Sequence, residues 1–255
     1  MTSRRESILR EMGLTPIWKA RGGSHGTPES ARTEDVPVSS GGLVEEPDAS
    51  PQTPSVAREA RIAKMDWPAL KAAVPACTAC ALHESRTQTV FGVGDENADW
   101  LLVGEAPGAE EDERGDPFVG QAGRLLDAML ASIGLARGTN VYIANVLKCR
   151  PPGNRNPEPA EVAQCSPHLL RQVGLIQPRL IVAMGRFAAQ TLLATDASIA
   201  SLRGRLHAYH GVPLIVTYHP AYLLRTPTDK AKAWQDLLFA TRTMEGLQAQ
   251  RMAPT

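Results

Sequence analysis

Cysteine is the residue type whose spacing in this chain points most directly to chemistry. The chain has four cysteines: Cys77 and Cys80 form a Cys-x-x-Cys pair, and Cys149 and Cys165 follow after a long gap. Four thiolates satisfy either a tetrahedral zinc ion or the four corners of an iron–sulfur cube, and a Cys-x-x-Cys turn lets two sulfurs converge on one centre. The gaps match the regular spacing of neither zinc ribbons nor ferredoxins, so spacing alone leaves zinc and a cluster equally open.

A disulfide framework is the alternative use of four cysteines. It requires export to an oxidising compartment, and residues 1–10 are charged and lack the apolar core of a signal peptide. We therefore expect a cytoplasmic protein whose thiols stay reduced. The chain has no apolar run that approaches the roughly 20 residues of a membrane span, so no association with a membrane is expected.

Composition divides the 255-residue chain into three parts. Residues 21–57 are mostly Gly, Ser, Thr, Pro, Glu and Asp with few large apolar side chains, which predicts a disordered linker. Residues 58–250 are rich enough in apolar residues for one sizeable domain. Residues 1–20 carry a short helical pattern whose apolar content is typical of a peptide that folds on a partner. Docking of this helix on its own domain is the alternative.

Short apolar runs alternate with helical patterns through the domain, which predicts an α/β fold. Buried strands are predicted at 99–104, 141–146, 180–185 and 212–217, and helices at 123–133, 158–176, 186–193 and 228–250. Uniformly apolar strands between helices favour a three-layer α/β/α architecture, with a central, mainly parallel four-stranded sheet covered on both faces. Sites in such folds gather beyond the carboxyl ends of the strands.

Three of the predicted strands end in loops of unusual chemistry. The first runs into the segment Gly104-Glu105-Ala106-Pro107-Gly108, which is followed by Asp116-Pro117-Phe118-Val119-Gly120. The second ends near Asn145, four residues before Cys149, and the fourth runs into His219-Pro220. Each of these residues alone has a structural explanation, as a core aromatic, a turn-capping amide or a satisfied histidine. Their joint occurrence at strand ends favours a site.

Together with the four cysteines, these motifs resemble those of the family 4 uracil-DNA glycosylases. The resemblance covers roughly residues 67–244. It implies a uracil-DNA glycosylase-like fold with a [4Fe-4S] cluster on Cys77, Cys80, Cys149 and Cys165. It also implies a monomeric, nucleoid-associated enzyme of base excision repair, which flips uracil out of single- or double-stranded DNA and hydrolyses its N-glycosidic bond to leave an abasic site.

The chemistry of uracil release assigns roles to three side chains. Phe118 is expected to stack on the flipped base, and Asn145 to donate and accept hydrogen bonds at uracil O4 and N3–H. Negative charge develops mostly at O2 as the base departs. By resemblance, His219 is expected to donate a hydrogen bond there, which is the electrostatic stabilisation that dominates such catalysis.

The residues of the first loop are expected to line the base pocket. Glu105, Ala106 and Pro107 would hold uracil, with Glu105 excluding the methyl group of thymine or orienting water. Glu111 is the alternative water-positioning group, or else part of a solvated acidic loop. Some other uracil glycosylases carry an aspartate where this chain has Ala106. We therefore expect a dissociative hydrolysis in which neither glutamate is indispensable.

Two further groups of residues are expected to contact DNA. One is an apolar wedge that replaces the flipped base in the stack, drawn from Tyr222, Leu223 and Leu224, with a buried turn as the alternative. The other is a set of phosphate contacts, consisting of Lys148, Arg150, Arg155 and Arg225.

Two other functions stay open at this point. One is a non-catalytic, cluster-bearing DNA-binding protein. The other belongs to a relative that traps uracil-DNA covalently through a histidine on an inserted basic loop, and residues 149–154 of this chain lack that histidine. Residues 1–21 also resemble the N-terminal peptide of the psi subunit of the bacterial DNA polymerase III clamp loader, which implies a tether to the replication machinery.

Overall fold

The computed structural model describes residues 54–252. The interaction peptide predicted at residues 1–20 and most of the linker predicted at residues 21–57 lie outside the described residues. The first helix begins at Pro54, inside the last part of the segment predicted as linker. Within residues 54–252, every helix is too short or too polar to cross a lipid bilayer.

Helices and strands alternate along the described residues. The helices are α1 (Pro54–Ile62), α2 (Trp67–Ala73), α3 (Leu82–Ser85), α4 (Ala109–Arg114), α5 (Gln121–Ala131), α6 (Pro159–Ile176), α7 (Arg186–Leu193), α8 (Ile199–Leu202), α9 (Pro220–Arg225) and α10 (Lys230–Met252). Two 3-10 turns lie at Pro152–Asn154 and Pro227–Asp229. The strands are β1 (Val93–Gly94), β2 (Trp100–Gly104), β3 (Val141–Asn145), β4 (Leu180–Met184), β5 (His207–Tyr209) and β6 (Val212–Thr217).

The strands form one sheet in the order β1-β3-β2-β4-β6-β5. The four strands predicted from apolar runs make its parallel centre, since β2 pairs with β3 and β4, and β4 pairs with β6. The short strands β1 and β5 add antiparallel edges that the sequence did not predict. Both edge strands lack the continuous apolar run of a strand covered on both faces, which explains why the pattern missed them.

Helices cover both faces of the sheet, which confirms the three-layer prediction. Alternate strand residues such as Leu101 and Ile181 pack with α6 and α7, and their neighbours such as Leu102 and Val182 pack with α5 and α10. Trp234 of α10 is 42% exposed and does not join this packing.

The topology brings the loops of interest to one edge. The chain passes from β2 to β3 on one side and then crosses to β4 on the other side of β2, so the connections diverge at the carboxyl end of β2. Such a divergence leaves a crevice above the sheet. Register places Gly104 directly opposite Asn145 at this edge.

Candidate active site

The loops that follow β2, β3 and β6 surround one cleft of about 420 Å³. This volume lies within the range of about 300–1,000 Å³ that is usual for ligand pockets. The cleft brings together most of the predicted site residues: its walls are Glu105, Ala106, Pro107, Gly108, Glu111, Phe118, Ala122, Asn145, Pro151, Asn154, Arg155, Asn156, His219, Ala221, Tyr222 and Arg225.

Asn145 lies at the bottom of the cleft. It ends β3 and is 2% exposed, and its Oδ1 atom has no hydrogen-bond partner among the described residues. A Cβ atom on Gly104 would come within 2.4 Å of this Oδ1 and within 2.7 Å of the Phe118 ring. Only glycine at position 104 therefore leaves room for the Asn145 amide and the Phe118 ring beside the end of β2. A buried acceptor without a partner is costly in the free protein, so this atom is available to a ligand.

Phe118 is held beside the cleft by a strained turn. Its backbone has a φ angle of 56°, in the left-handed region that bulky residues rarely adopt. Arg137 donates hydrogen bonds to the carbonyl oxygens of Pro117 and Phe118 at 2.9 and 3.0 Å. Gly123 leaves room for the same turn, since a Cβ atom there would lie 1.7 Å from the Phe118 oxygen. This support fixes the ring at the cleft wall, and strain of this kind is typical of functional sites.

His219 faces Phe118 across the cleft. Their ring centroids are 5.4 Å apart at an interplanar angle of 30°. The Nδ1 atom of His219 accepts a hydrogen bond from the backbone N–H of Ala221 at 3.1 Å, which leaves the proton of a neutral ring on Nε2. Burial lowers the pKa of His219 to about 4, and the charge of Arg225 acts in the same direction. The ring is therefore a neutral hydrogen-bond donor at physiological pH.

The two glutamates of the cleft have different surroundings. Glu111 accepts hydrogen bonds from the backbone N–H groups of Gly108 and Val119 at 3.1 and 3.0 Å, with a longer one from Gly120 at 3.5 Å. Its carboxylate thus ties the loop after β2 to the Phe118 turn. Glu105 lies half-buried in the wall, and burial raises the pKa of its carboxyl group against the opposing charge of Arg186.

The four cysteines line one cavity beside the cleft loops. Cys77 and Cys80 lie between α2 and α3, Cys149 follows β3, and Cys165 belongs to α6. All four thiols are free, so the structure contains none of the disulfides considered as an alternative. Burial raises the pKa of Cys165 to about 12, so its ionisation depends on compensating positive charge.

Three N–H groups point at the cysteine sulfurs. Arg86 donates to Cys149 Sγ at 3.0 Å, Arg58 to Cys77 Sγ at 3.4 Å, and the backbone of Lys148 to Cys165 Sγ at 3.2 Å. Such donors stabilise thiolates that bind metal. In residues 54–252, no three His, Cys, Asp or Glu side chains form a group that would hold a single metal ion. The fit to a cluster therefore rests on the shared cavity, the free thiols and their donors.

Lys148 does not have the position expected of a phosphate contact, so that prediction is wrong. It is 1% exposed, and its Nζ donates to the Asn145 carbonyl oxygen at 2.9 Å and to Gln172 Oε1 at 2.6 Å. Burial lowers the pKa of its ammonium group to about 8, against the influence of Cys165 and Cys149. A side chain enclosed in this way does not reach the DNA backbone.

The three candidates for the wedge, Tyr222, Leu223 and Leu224, differ in how deeply they are buried. Leu223 is 1% exposed and packs in a cluster with Met129 and Leu237, so its assignment to the wedge is wrong. Leu224 is 40% exposed beside it. The hydroxyl of Tyr222 donates to Asp229 at 2.6 Å, which anchors this half-buried ring at the wall of the cleft.

The basic candidates around the cleft remain accessible. Arg225 is exposed at the end of α9. Arg150 is half-buried, and its Nε donates to Asn154 Oδ1 at 2.7 Å. Arg155 forms ion pairs with Glu161 at 2.6 Å and Glu158 at 3.3 Å, which orient it along the cleft wall.

Sequence reasoning missed the residues that support the His219 loop. Asp236 of α10 is 2% exposed and accepts hydrogen bonds from Thr217 at 2.9 Å and from Arg203 at 2.6 Å. The guanidinium of Arg203 lies 4.5 Å from the ring of Tyr218, which precedes His219. The signal available in the sequence was an acidic residue between the apolar positions Trp234 and Leu237, which did not identify its partners.

Comparison with known proteins gives a consistent family. Residues 91–238 match the family model of the Uracil DNA glycosylase superfamily. The chain is 48% identical over 162 residues to a type-4 uracil-DNA glycosylase of Archaeoglobus fulgidus, a match that covers 60% of this chain and 81% of that protein. It is 42% identical over 181 residues to the type-4 enzyme of Pyrobaculum aerophilum, with 68% and 92% covered. The type-4 enzyme of Thermotoga maritima is 45% identical over 161 residues, with 62% and 83% covered.

Proposed function

The chain belongs to the uracil DNA glycosylase superfamily, and we propose that it hydrolyses the N-glycosidic bond of uracil in DNA as a repair enzyme. The observation that carries this proposal is the buried Oδ1 atom of Asn145, which has no partner among the described residues and lies in a cleft with Phe118 and the neutral His219. These are an amide, an aromatic ring and a donor, the three groups that recognition and release of a flipped uracil require.

Base recognition is assigned to Asn145 and Phe118. The free Oδ1 accepts the N3–H of uracil and the amide nitrogen donates to O4, whereas cytosine presents the reverse pattern at these two positions. Phe118 stacks on the base from the wall that its strained turn fixes. The Glu105–Pro107 segment lines the cleft on the side of the loop after β2, and we assign Glu105 to the exclusion of the 5-methyl group of thymine.

Bond cleavage is assigned to electrostatic stabilisation by His219. As the glycosidic bond lengthens, positive charge develops on the sugar and negative charge on the base, mostly at O2. The Nε2–H of the neutral ring donates a hydrogen bond to that oxygen, and its orientation is fixed in advance by the bond between Nδ1 and Ala221. No proton needs to be transferred for the base to leave as an anion. Water then adds to the sugar cation and loses a proton to solvent, which leaves an abasic site in the DNA, and the uracil anion takes up a proton from solvent.

Neither glutamate is required as a general base in this account. Glu111 already accepts backbone hydrogen bonds from the loop after β2 and from the Phe118 turn, so its role is to hold these two segments together. Glu105 is the group left to orient water. Its half-buried carboxyl contributes through position more than through proton transfer.

The cysteine cavity is assigned to a [4Fe-4S] cluster with a structural role. The cluster would supply four Fe–thiolate bonds that fix the chain on both sides of Asn145 and the cleft wall at residues 150–156. Purified protein should be brown, with broad absorbance near 400 nm and about four iron per chain. Colourless protein with stoichiometric zinc would contradict this assignment.

DNA binding is assigned to accessible residues near the cleft. Leu224 is the apolar side chain assigned to enter the stack, and the phosphate contacts are assigned to Arg225, Arg150 and Arg155, of which the last two are half-buried. The DNA can be single- or double-stranded, and the enzyme acts as a monomer. Its place of action is the cytoplasm, at the nucleoid.

The N-terminal segment is assigned to a tether. We base this on the resemblance of residues 1–21 to a clamp-loader peptide and on the linker composition of residues 21–57. Deletion of residues 1–21 should leave turnover on oligonucleotides unchanged and abolish co-purification with clamp-loader subunits. An inactive or unfolded truncation would show instead that the segment belongs to the catalytic domain.

One assay separates the glycosylase from the two other functions. Purified protein is incubated with uracil-containing single- and double-stranded oligonucleotides, and the products are cleaved at abasic sites. Multiple turnovers are expected. A stoichiometric covalent adduct would indicate the trapping activity, and binding without strand cleavage would indicate a DNA-binding protein.

A further inference from the structure

Lys148 makes two contacts that connect the two sites of this protein. Its backbone N–H donates to Cys165 Sγ at 3.2 Å, and its side-chain nitrogen donates to the carbonyl oxygen of Asn145 at 2.9 Å. The same residue therefore contacts a cysteine of the proposed cluster and the residue proposed to read the base. Gln172 of α6 holds the ammonium group from the other side, and its own amide donates to the Phe91 carbonyl at 2.9 Å.

No carboxylate is among the hydrogen-bond contacts of this ammonium group in the described part of the chain. Its two hydrogen-bond acceptors, the Asn145 carbonyl and the Gln172 amide, are neutral. Lys148 lines the same cavity as Cys165 and Cys149, so their thiolates would lie near its charge. A buried ammonium group without a negative partner destabilises the folded protein. Thiolates that bind a metal cluster carry the negative charge that would offset it, so the cysteine site and the lysine stabilise each other.

The carbonyl that Lys148 holds belongs to Asn145, the residue whose side chain lies in the cleft. After β3 the chain stays beside the loop after β2, since Val146 N donates to Gly104 O at 3.0 Å and Leu147 N donates to Glu105 O at 3.1 Å. The Lys148 side chain then returns to the carbonyl of Asn145 and closes this turn. Loss of that contact would free the peptide that sets the amide next to Gly104.

We propose that Lys148 is a positioning residue, which orients Asn145 through its carbonyl oxygen while its charge is offset by the cysteine thiolates of the cluster. This inference rests on the proposed function, because it assumes that Asn145 reads uracil. It gives the cluster a specific effect on the base pocket beyond holding the fold together.

The test compares Lys148→Met with Arg86→Met. Both substitutions remove a positive charge from the lining of the cysteine cavity, but only Lys148 also contacts Asn145. Iron content and absorbance near 400 nm establish cluster loading, and the reduction potential of the cluster reports the lost charge. We expect both variants to shift the potential to more negative values, because removal of positive charge destabilises the reduced cluster.

Turnover distinguishes the two variants. In iron-replete Lys148→Met, kcat/KM for uracil release should fall by about 10- to 100-fold, the effect of losing one hydrogen bond to a charged group. Affinity for an oligonucleotide with non-hydrolysable 2′-fluoro-2′-deoxyuridine should fall toward its affinity for the cytosine control. Arg86→Met should show a much smaller loss, and Lys148→Arg should recover part of the activity.

Several outcomes would overturn the inference. One is wild-type kcat/KM in iron-replete Lys148→Met, and another is an equal loss in Arg86→Met. If Lys148→Met does not take up iron, Gln172→Leu, which keeps the charge but removes one acceptor, should load iron and still lose activity. Unchanged activity there would also contradict the proposal. Absence of uracil release by the wild-type protein would refute the proposed function itself, which the potential shift does not test.

Discussion

The backbone N–H of Ala221 donates a hydrogen bond to Nδ1 of His219, with a distance of 3.1 Å between the two nitrogens. Because Pro220 and Ala221 begin helix α9, the start of this helix fixes the tautomer of the ring. A histidine held in this way presents Nε2–H to the cleft, so a protonated imidazolium is not needed for donation to uracil.

This tautomer predicts an unusual pH dependence of catalysis. Because the pKa of His219 is lowered to about 4, the ring stays neutral down to mildly acid pH. Protonation below that value would place a proton on Nδ1 and break the bond from Ala221. The kcat of uracil release should therefore be level from about pH 8 to 5 and fall only as pH approaches 4. A histidine with its ordinary pKa would instead cause a change near pH 6.5.

The control for this profile is His219→Gln, which should lose about 10²- to 10³-fold in kcat, as loss of a preorganised donor does. A break near pH 6.5 in the wild-type profile that disappears in His219→Gln would show that the imidazolium is the active form.

Asn145 is expected to be the largest single contributor to base selection. Asn145→Ala should reduce kcat/KM by about 10²- to 10³-fold, since it removes the donor and acceptor that match uracil. Asn156→Ala is the matched control, because Asn156 is an exposed asparagine on the rim of the same cleft. Steady-state kinetics on a uracil oligonucleotide measure both. Activity of Asn145→Ala within about threefold of the wild type would contradict the assignment.

The two glutamates should respond differently to the same substitution. Glu111→Gln replaces an acceptor of backbone N–H groups by an amide that cannot accept at both atoms, so unfolding free energy should fall by about 1–3 kcal/mol. Glu105→Gln should leave stability near the wild-type value and change kcat moderately. Urea titrations and single-turnover rates measure the two effects. A stable Glu111→Gln variant with abolished turnover would identify Glu111 as catalytic instead.

Neighbouring leucines on α9 offer a matched test of the wedge. Leu224→Ala should lower turnover on double-stranded DNA more than on single-stranded DNA, because only the duplex requires a stacked gap to be filled. Leu223→Ala should instead lower the free energy of unfolding by about 2–5 kcal/mol, as expected for a core leucine. An equal effect of Leu224→Ala on both substrates would remove it from the wedge.

The sequence predicted those parts of the fold whose pattern is local. The runs around Leu102 and Val182 are apolar at every position, which identified the four central strands, and Asn145 and His219 stood out as polar residues where such runs end. The prediction failed for Lys148 and Leu223. Lys148 lies in the bend after β3 and Leu223 in the short helix after β6, where sequence order does not reveal whether a side chain returns to the core.

Contacts between segments that are distant along the chain could not be predicted from the sequence either. Arg86 and Cys149 are brought together by the fold alone, with no spacing rule that links them. The sequence indicates a water-positioning or solvated role for Glu111, because side-chain chemistry does not reveal the backbone N–H groups that it accepts from. The strain at Phe118 had no sequence signal, since its left-handed φ angle is favoured by glycine and asparagine, not by phenylalanine.

The most direct test of the account is a single-turnover measurement of base release from paired oligonucleotides, identical except for one uracil or one cytosine. Free base is detected by mass spectrometry with the iron-replete wild-type protein in excess. The account predicts rapid release of uracil, no detectable release of cytosine, and loss of the uracil signal in both Asn145→Ala and His219→Gln. Absence of released uracil from the wild-type protein, or release of both bases at similar rates, would contradict the proposed reading of uracil by Asn145.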